Sequence, residues 1–406
     1  RKLIRRFFKS PIKKRLAQYS KTHPRFRKCW KKILYTKRRI YYWWRGLGVT
    51  PDEKTVVFNS FNGKTYGCSP KAVYEYMLTQ DEFKDWTFIW AFKNAKKHRF
   101  LEENPNTIVV KQTARVYEKK LIRAKYWITN YRVPDHVWPQ KDQVYVQCWH
   151  GTPLKRLGYD LETSENAIDS IADIRKKYAM DAEKFNYILS PSGFASEKFI
   201  SAWNLKETKM EDKVMEIGYP RNDFLINHTQ EDIRMIKEKL EIPEDKKVIL
   251  YAPTWRDNQH EAGTGFTYDL NVDFDALRQE LGDEYVILFR VHYLVASKFS
   301  FDDYEGFIYN VSNYDDINHL YLIADLLITD YSSVFFDYGI LKKPMLFYMY
   351  DLEDYKDSIR GFYFGIDKLP GKIITKEEEL PDAIRDSIDN FVYDDKYREF
   401  NETFSK

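Results

Sequence analysis

A histidine set where an apolar strand gives way to a Gly/Pro turn is placed to take a proton near neutral pH, and His150 holds such a place in Cys148-Trp149-His150-Gly151-Thr152-Pro153-Leu154-Lys155. The preceding Val144-Tyr145-Val146-Gln147-Cys148 reads as a buried strand, and Gly151 and Pro153 forbid its simple continuation. His150 therefore falls at a strand's carboxyl edge, where open α/β sheets keep their chemistry. The competing reading of a lone histidine is a hydrogen-bonded structural residue.

A second group of polar residues follows in the later half of the chain. Tyr285-Val286-Ile287-Leu288-Phe289-Arg290-Val291-His292 predicts a strand whose alternation carries Arg290 and His292 to one face, so that two cations point together. A further strand over residues 326–329 leads through Asp330 and Tyr331 to Ser332 and Ser333, ahead of a helical segment over residues 334–341. Free backbone N–H groups and the positive end of a helix dipole favour phosphate there, and the two hydroxyls add donors. A plain helix cap accounts for either serine taken singly.

Both groups need scaffolds, and 406 residues suffice for two domains of ordinary size. Strands are predicted at residues 55–58, 86–92, 107–110, 126–129 and 144–148, with helices over 70–78 and 116–124. A second series, at 248–252, 285–291, 326–329 and 345–348, also alternates with helical stretches, among them 230–240. This pattern is α/β throughout, with two Rossmann-like domains facing a cleft. The turn residues Gly218-Tyr219-Pro220-Arg221-Asn222-Asp223 mark the hinge. The expected division is a basic arm over 1–50, a first domain over 51–220, a second over 221–379, and a helical stretch over 380–406 free to lie back on the first domain. His150 would line one wall of the cleft, and Arg290, His292 and the serines the other.

Aromatic residues make up 17% of the chain, enough to fill cores without disulfides. Three widely spaced cysteines, Cys29, Cys68 and Cys148, argue for a reducing compartment, and Cys148 reads as buried packing, not as a nucleophile. No Cys/His spacing resembles a zinc site. Asp302-Asp303, Asp315-Asp316 and Asp394-Asp395 read as solvated charge or helix caps, so no metal or other cofactor is expected. The loop Asn62-Gly63-Lys64-Thr65-Tyr66-Gly67 matches neither G-x-G-x-x-G nor the Walker pattern.

The net charge of +4 conceals an asymmetry: residues 1–50 carry eighteen Lys and Arg and no Asp or Glu, leaving the remainder at −14. Trp30, Tyr41, Tyr42, Trp43 and Trp44 share that segment with Leu3, Ile4, Phe7, Phe8, Ile12 and Leu16, at spacings a helix could gather on one side. Cations with interfacial aromatics favour an anionic bilayer surface over nucleic acid, for which the acidic body offers no recognition signature. No apolar run is long enough to span a bilayer, and no signal-peptide core is present. The chain opens on Arg1, as expected of a piece of a longer protein.

Five ordered motifs resemble the CDP-glycerol glycerophosphotransferases of wall teichoic acid and related polymer synthesis. They are His150 to Lys155, Gly218 to Asp223, Pro253-Thr254-Trp255-Arg256, Arg290-Val291-His292-Tyr293 and Thr329-Asp330-Tyr331-Ser332-Ser333-Val334-Phe335-Phe336-Asp337. The resemblance implies a GT-B fold and peripheral attachment to the cytoplasmic face of the cell membrane. It further implies transfer of glycerol phosphate from CDP-glycerol to a lipid-linked glycerol phosphate acceptor, with release of CMP. His150 would be the base, and Arg290, His292, Ser332 and Ser333 would hold the donor pyrophosphate. Lys155, Arg221, Asn222, Arg256, Asp330 and Arg360 are further donor or cleft candidates, although a surface salt bridge would explain Arg360 equally well.

The same motifs are compatible with a CDP-ribitol donor, with a primase that adds one or two units, and with a nucleotide-sugar glycosyltransferase of similar architecture. A basic scaffold protein with a degenerate fold is the non-enzymatic alternative. Product length and processivity lie outside what these motifs encode, and a homo-oligomer is compatible with them.

Overall fold

The computed structural model describes residues 19, 23–113, 115–162, 170–254, 260–261, 265–266, 272–291, 301–352 and 361–405. Seven strands form the first sheet: β1 (Asp52–Asn59), β2 (Thr87–Phe92), β3 (Thr107–Lys111), β4 (Ala124–Thr129), β5 (Val144–Gln147), β6 (Tyr187–Ser190) and β7 (Val214–Glu216). They run parallel in the order β3-β2-β1-β4-β5-β6-β7. β8 (Lys247–Tyr251) opens a second sheet, and β9 (His260–Glu261) with β10 (Gly265–Phe266) makes a separate antiparallel pair. The second sheet continues with β11 (Tyr285–Phe289), β12 (Ile308–Asn310), β13 (Leu326–Thr329), β14 (Met345–Tyr348) and β15 (Lys372–Ile374). It is parallel too, in the order β12-β11-β8-β13-β14-β15.

Both sheets follow one rule. The first strand is central, the second and third extend one way, and the fourth onward extend the other, to the seventh strand in the first sheet and the sixth in the second. That is the doubly wound order, whose reversal leaves a crevice at the carboxyl ends of the first and fourth strands. Strand alternation supplies a core on each face. In the first sheet Val57, Trp127 and Tyr145 join one cluster, and Val56, Phe58 and Trp90 join the other. In the second, Val248, Leu250 and Leu288 face one way, and Ile249, Ile287 and Phe289 the other.

The helices are started by side chains that satisfy their free N–H groups. Ser170 caps Ile171–Lys184, Ser192 caps Gly193–Ala202, and Thr229 forms a capping box with Asp232. Leu225 and Ile236, which follow the turn at 218–223, pack into a core of the second sheet.

Several boundaries differ from those the sequence predicts. The apolar strand at 285 ends at Phe289, so Arg290 leads the following loop, and His292 lies outside the described residues. The helix after Ser333 is α-helical only over Val334–Tyr338 and tightens to a 3-10 turn over Gly339–Leu341. The stretch 380–404 is two helices, Leu380–Asp389 and Asp395–Phe404, because the Asp394 carboxylate accepts the Tyr397 N–H and starts a new helix. The second of these brings Phe404 against Phe194, with ring centroids 4.7 Å apart. β6, β7, β12 and β15 are three- or four-residue strands that the sequence reading passed over.

Pro24–Gly46 is a 23-residue helix. Tyr42 is buried against the first sheet's core, while Trp43 and Trp44 are 62% and 64% exposed. Among the described residues no helix is long and apolar enough to cross a membrane. The apolar residues of the arm from Leu3 to Leu16 lie outside the described residues.

Candidate active site

His150 follows β5 by three residues. Trp149 takes a left-handed backbone (φ 50°), costly for a bulky side chain, and its indole stacks on the imidazole at 4.3 Å. The Phe61 ring, just beyond β1, lies 6.3 Å away. The imidazole is solvent-exposed, yet crowded by the surrounding walls, and its pKa is lowered to about 4. Desolvation is the largest cause, with the Arg221 and Arg132 guanidiniums acting in the same direction. The open face weakens the desolvation part, while the two cations keep the shift downward. The neutral imidazole is therefore the form present at neutral pH, as a base requires.

Gly151 brings the two sheets together. A Cβ there would stand 3.1 Å from Ser333 Oγ, so any side chain after His150 would push the Ser333 hydroxyl aside. Ser333 heads the helix Val334–Tyr338 without a side-chain cap, and among the described residues neither its hydroxyl nor that of Ser332 makes a hydrogen bond. A five-residue helix has a small dipole, so the hydroxyls and first-turn N–H groups are the stronger part of any anion contact here. Asp330, buried just before them, accepts the N–H groups of Thr254 (2.8 Å) and Tyr331 (2.6 Å). It joins the loops after β8 and β13 at the second sheet's crevice.

Arg290, at the end of β11, donates from Nη1 to the carbonyls of Val311 and Tyr314, both at 2.9 Å. Desolvation lowers its pKa against Tyr321, Asp316 and Asp315, and among the described residues its Nε and Nη2 carry no hydrogen bond. Lys155 forms an isolated antiparallel bridge with Phe362, and the Tyr363 N–H donates to the Leu154 carbonyl at 2.9 Å. The segment after His150 is thus strapped to residues 361–363. His292, Arg256 and Arg360 lie outside the described residues.

Arg221 and Asn222 are committed elsewhere. Arg221 gives Asp337 Oδ2 two hydrogen bonds, 3.1 Å from Nε and 2.7 Å from Nη2, while Asn222 Nδ2 reaches Oδ1 at 3.0 Å. Burial opposes the guanidinium charge, but Asp337, Cys68 and Tyr219 raise its pKa overall. The pair ties the end of the first sheet to the helix carrying Ser333, and its influence on His150 is by charge. The aspartate pairs serve as caps and partners. Asp316 caps Ile317–Ile323 and meets Lys71 Nζ at 2.6 Å, while Asp315 meets Lys97 at 2.9 Å.

Arg132, Phe61 and Asn130 were not singled out from the sequence. Arg132 forms an ion pair with the buried Asp181, Nε to Oδ2 at 3.2 Å, and adds its charge beside His150. Asn130 receives the Phe61 N–H at 2.7 Å while its own Nδ2 is buried without a partner. All three follow the ends of β1 and β4, and that position was their one sequence signal. Cys148 is buried and its thiol is pushed well above the usual range by desolvation, in keeping with packing.

Comparison with known proteins agrees with these motifs. The chain is 43% identical over 334 residues to the teichoic acid poly(glycerol phosphate) polymerase of Bacillus subtilis (strain 168), covering 82% of this chain and 44% of that protein. It is 40% identical over 350 residues to the teichoic acid glycerol-phosphate transferase of Staphylococcus aureus (strain NCTC 8325 / PS 47), covering 85% and 87%. It therefore spans less than half of the first polymerase and most of the second protein. A structure of a histidine variant of the wall teichoic acid polymerase TagF, soaked with CDPG, superposes with a TM-score of 0.81 at 38% identity, covering 96% and 93% of the two chains. Residues 45–406 match the model of one family, so the protein belongs to the CDP-glycerol:poly(glycerophosphate) glycerophosphotransferases.

Proposed function

We propose that the protein transfers glycerol phosphate from CDP-glycerol to a hydroxyl of a lipid-linked glycerol phosphate acceptor, releasing CMP, on a GT-B arrangement of its two sheets. The acceptor oxygen attacks the phosphorus that bears glycerol. The bond from that phosphorus to the bridging oxygen breaks, and the electron pair leaves with CMP. His150 takes the hydroxyl proton. Ser332, Ser333, Arg290 and His292 face the charge of the pyrophosphate.

The observation that carries this reading is the approach of Gly151 to Ser333, which supports a site where the neutral imidazole of His150 and the Ser333 hydroxyl act from opposite sides on one donor. The S. aureus transferase and the CDPG-soaked TagF structure support the donor. The cations and exposed tryptophans of Pro24–Gly46 support peripheral attachment at the cytoplasmic membrane face.

The test is CMP release with a lipid-linked glycerol phosphate primer analogue, comparing CDP-glycerol, CDP-ribitol and UDP-glucose. CDP-glycerol should be the productive donor. His150→Ala should lower turnover about 10²- to 10⁴-fold with donor affinity unchanged. Near-normal turnover of that variant would return His150 to a structural role, and turnover of CDP-ribitol alone would overturn the donor.

A further inference from the structure

Arg132 and His150 hold matching places on neighbouring strands. Thr129, the last residue of β4, pairs in register with Gln147, the last of β5, and each of the two side chains follows three residues later. The Cys148 N–H donates to the Thr129 carbonyl at 2.7 Å, so the strand ends stay joined as they enter their loops. A run of rings then connects the two side chains. The Arg132 guanidinium lies 3.9 Å from the Tyr178 ring centre, and ring centroids are 4.7 Å apart for Tyr178 and Trp203, 4.8 Å for Trp203 and Trp149, and 4.3 Å for Trp149 and His150. Tyr178, Trp203 and Trp149 are buried, so one packed wall holds both the guanidinium and the imidazole.

The way Arg132 is anchored leaves its far end free. Its ion pair with Asp181 uses Nε, and Asp181 takes the Trp203 indole N–H on the same oxygen, at 3.2 Å. A guanidinium placed solely to neutralise a carboxylate turns its fork toward it and bonds through two N–H groups. Asp181 is 4% exposed, whereas the Arg132 side chain keeps 28% of its surface. Nε is buried, but neither Nη is, and among the described residues neither Nη makes a hydrogen bond. The open part of Arg132 thus includes the N–H fork that matches phosphate oxygens. His150 is exposed as well, and Arg132 is one of the two cations that hold its pKa down, so the fork lies within electrostatic reach of the imidazole.

We propose that Arg132 holds the phosphate of the acceptor's terminal unit and so sets that unit's hydroxyl against His150. The assignment deepens the transferase reading and rests on it. In that reading the donor's charge is faced from the second sheet by Ser332, Ser333 and Arg290, whereas Arg132 stands on the wall that carries the base. A nucleophile whose own phosphate is anchored on that wall reaches the base already oriented. Donor and acceptor are both anions, and a cation on the acceptor side offsets their repulsion as they approach. Asp181 and the ring of Tyr178 fix the guanidinium beforehand, so little side-chain freedom is lost when a phosphate binds.

The test follows CMP release from CDP-glycerol with two forms of the lipid-linked primer analogue. One ends in glycerol phosphate; the other carries a methylphosphonate in place of that phosphodiester, similar in size and without charge. Rates are measured well above the ordinary histidine range, where the imidazole is neutral in every variant. The native protein should prefer the charged primer. Arg132→Gln should raise the KM for that primer about ten- to a hundredfold, by loss of a charge-assisted contact, with the KM for CDP-glycerol and the turnover of the neutral primer nearly unchanged. Arg132→Lys, which keeps a cation beside Asp181 and loses the fork, should fall between. Both primers are measured on one preparation, so their ratio is independent of the folded fraction, whatever the loss of a partner for Asp181 does to stability. Equal losses on both primers, a matching rise in the KM for CDP-glycerol, or an unchanged preference in both variants would overturn the assignment and leave transfer itself in place. No CMP release by the native protein would instead overturn the transferase reading, and this assignment with it.

Discussion

At the scale of single residues, the charge state of His150 is set by its neighbours. Its pKa of about 4 lies below the unfolded value near 6.5, so the folded protein binds fewer protons between those pH values. As pH falls through that window the ring costs stability, and above it the effect vanishes. The acid limb of kcat/KM, which reports the free enzyme, should accordingly lie below pH 6.5, displaced toward 4. A bound pyrophosphate would oppose Arg221 and Arg132, so the limb of kcat should lie higher. Arg132→Gln should move the kcat/KM limb upward by removing a cation. A pH profile for the native protein and this variant decides the matter; a limb near 6.5 in both would mean that neither cation acts on the ring.

At the scale of elements, the Arg221–Asp337 pair joins the turn after β7 to the helix that presents Ser333. Both side chains are at least nine-tenths buried, so removing one partner strands a charge. Asp337→Ala should cost about 3–5 kcal/mol in denaturant unfolding, whereas Asp394→Ala, the loss of a helix cap, should cost about 1 kcal/mol. Equal effects would show that the buried pair has no special weight. Both residues were visible in the sequence, but their partners were not. The motif strands were legible because Val, Ile, Leu and Phe run together there: β13 and β14 match the predicted bounds without change. β7 and β15 offered three residues each, too few for periodicity to register. The nearness of Gly151 to Ser333 and the commitment of Arg221 to Asp337 arise between segments remote in the chain, and no local pattern carries such information.

At the scale of the molecule, the two sheets meet through more than the cleft. Lys71 with Asp316 and Lys97 with Asp315 bridge them, and the close approach of the Asp315 carbonyl, 2.9 Å from a Cβ at Gly67, leaves no room for a side chain. The described helix of the basic arm is likewise part of the body. Tyr42 fills a core position, Arg45 faces buried Glu118, and Arg39 stacks on Trp138. Removing residues 1–45 would therefore test two properties at once, because it removes most of the chain's basic charge asymmetry and opens the first sheet's core. Removing residues 1–23 takes away nine of the eighteen cations and leaves that packing in place. The shorter deletion should weaken binding to anionic vesicles, by up to about 1 kcal/mol for each cation that reaches the surface, and more strongly at low salt. Its melting temperature and its CMP release with a soluble acceptor should hold. The longer deletion should also lower the melting temperature, since loss of a large buried aromatic costs about 3–5 kcal/mol. If vesicle binding survived the shorter deletion and fell only with the longer one, the surface contact would belong to the helix Pro24–Gly46 alone, where Trp43 and Trp44 stand exposed.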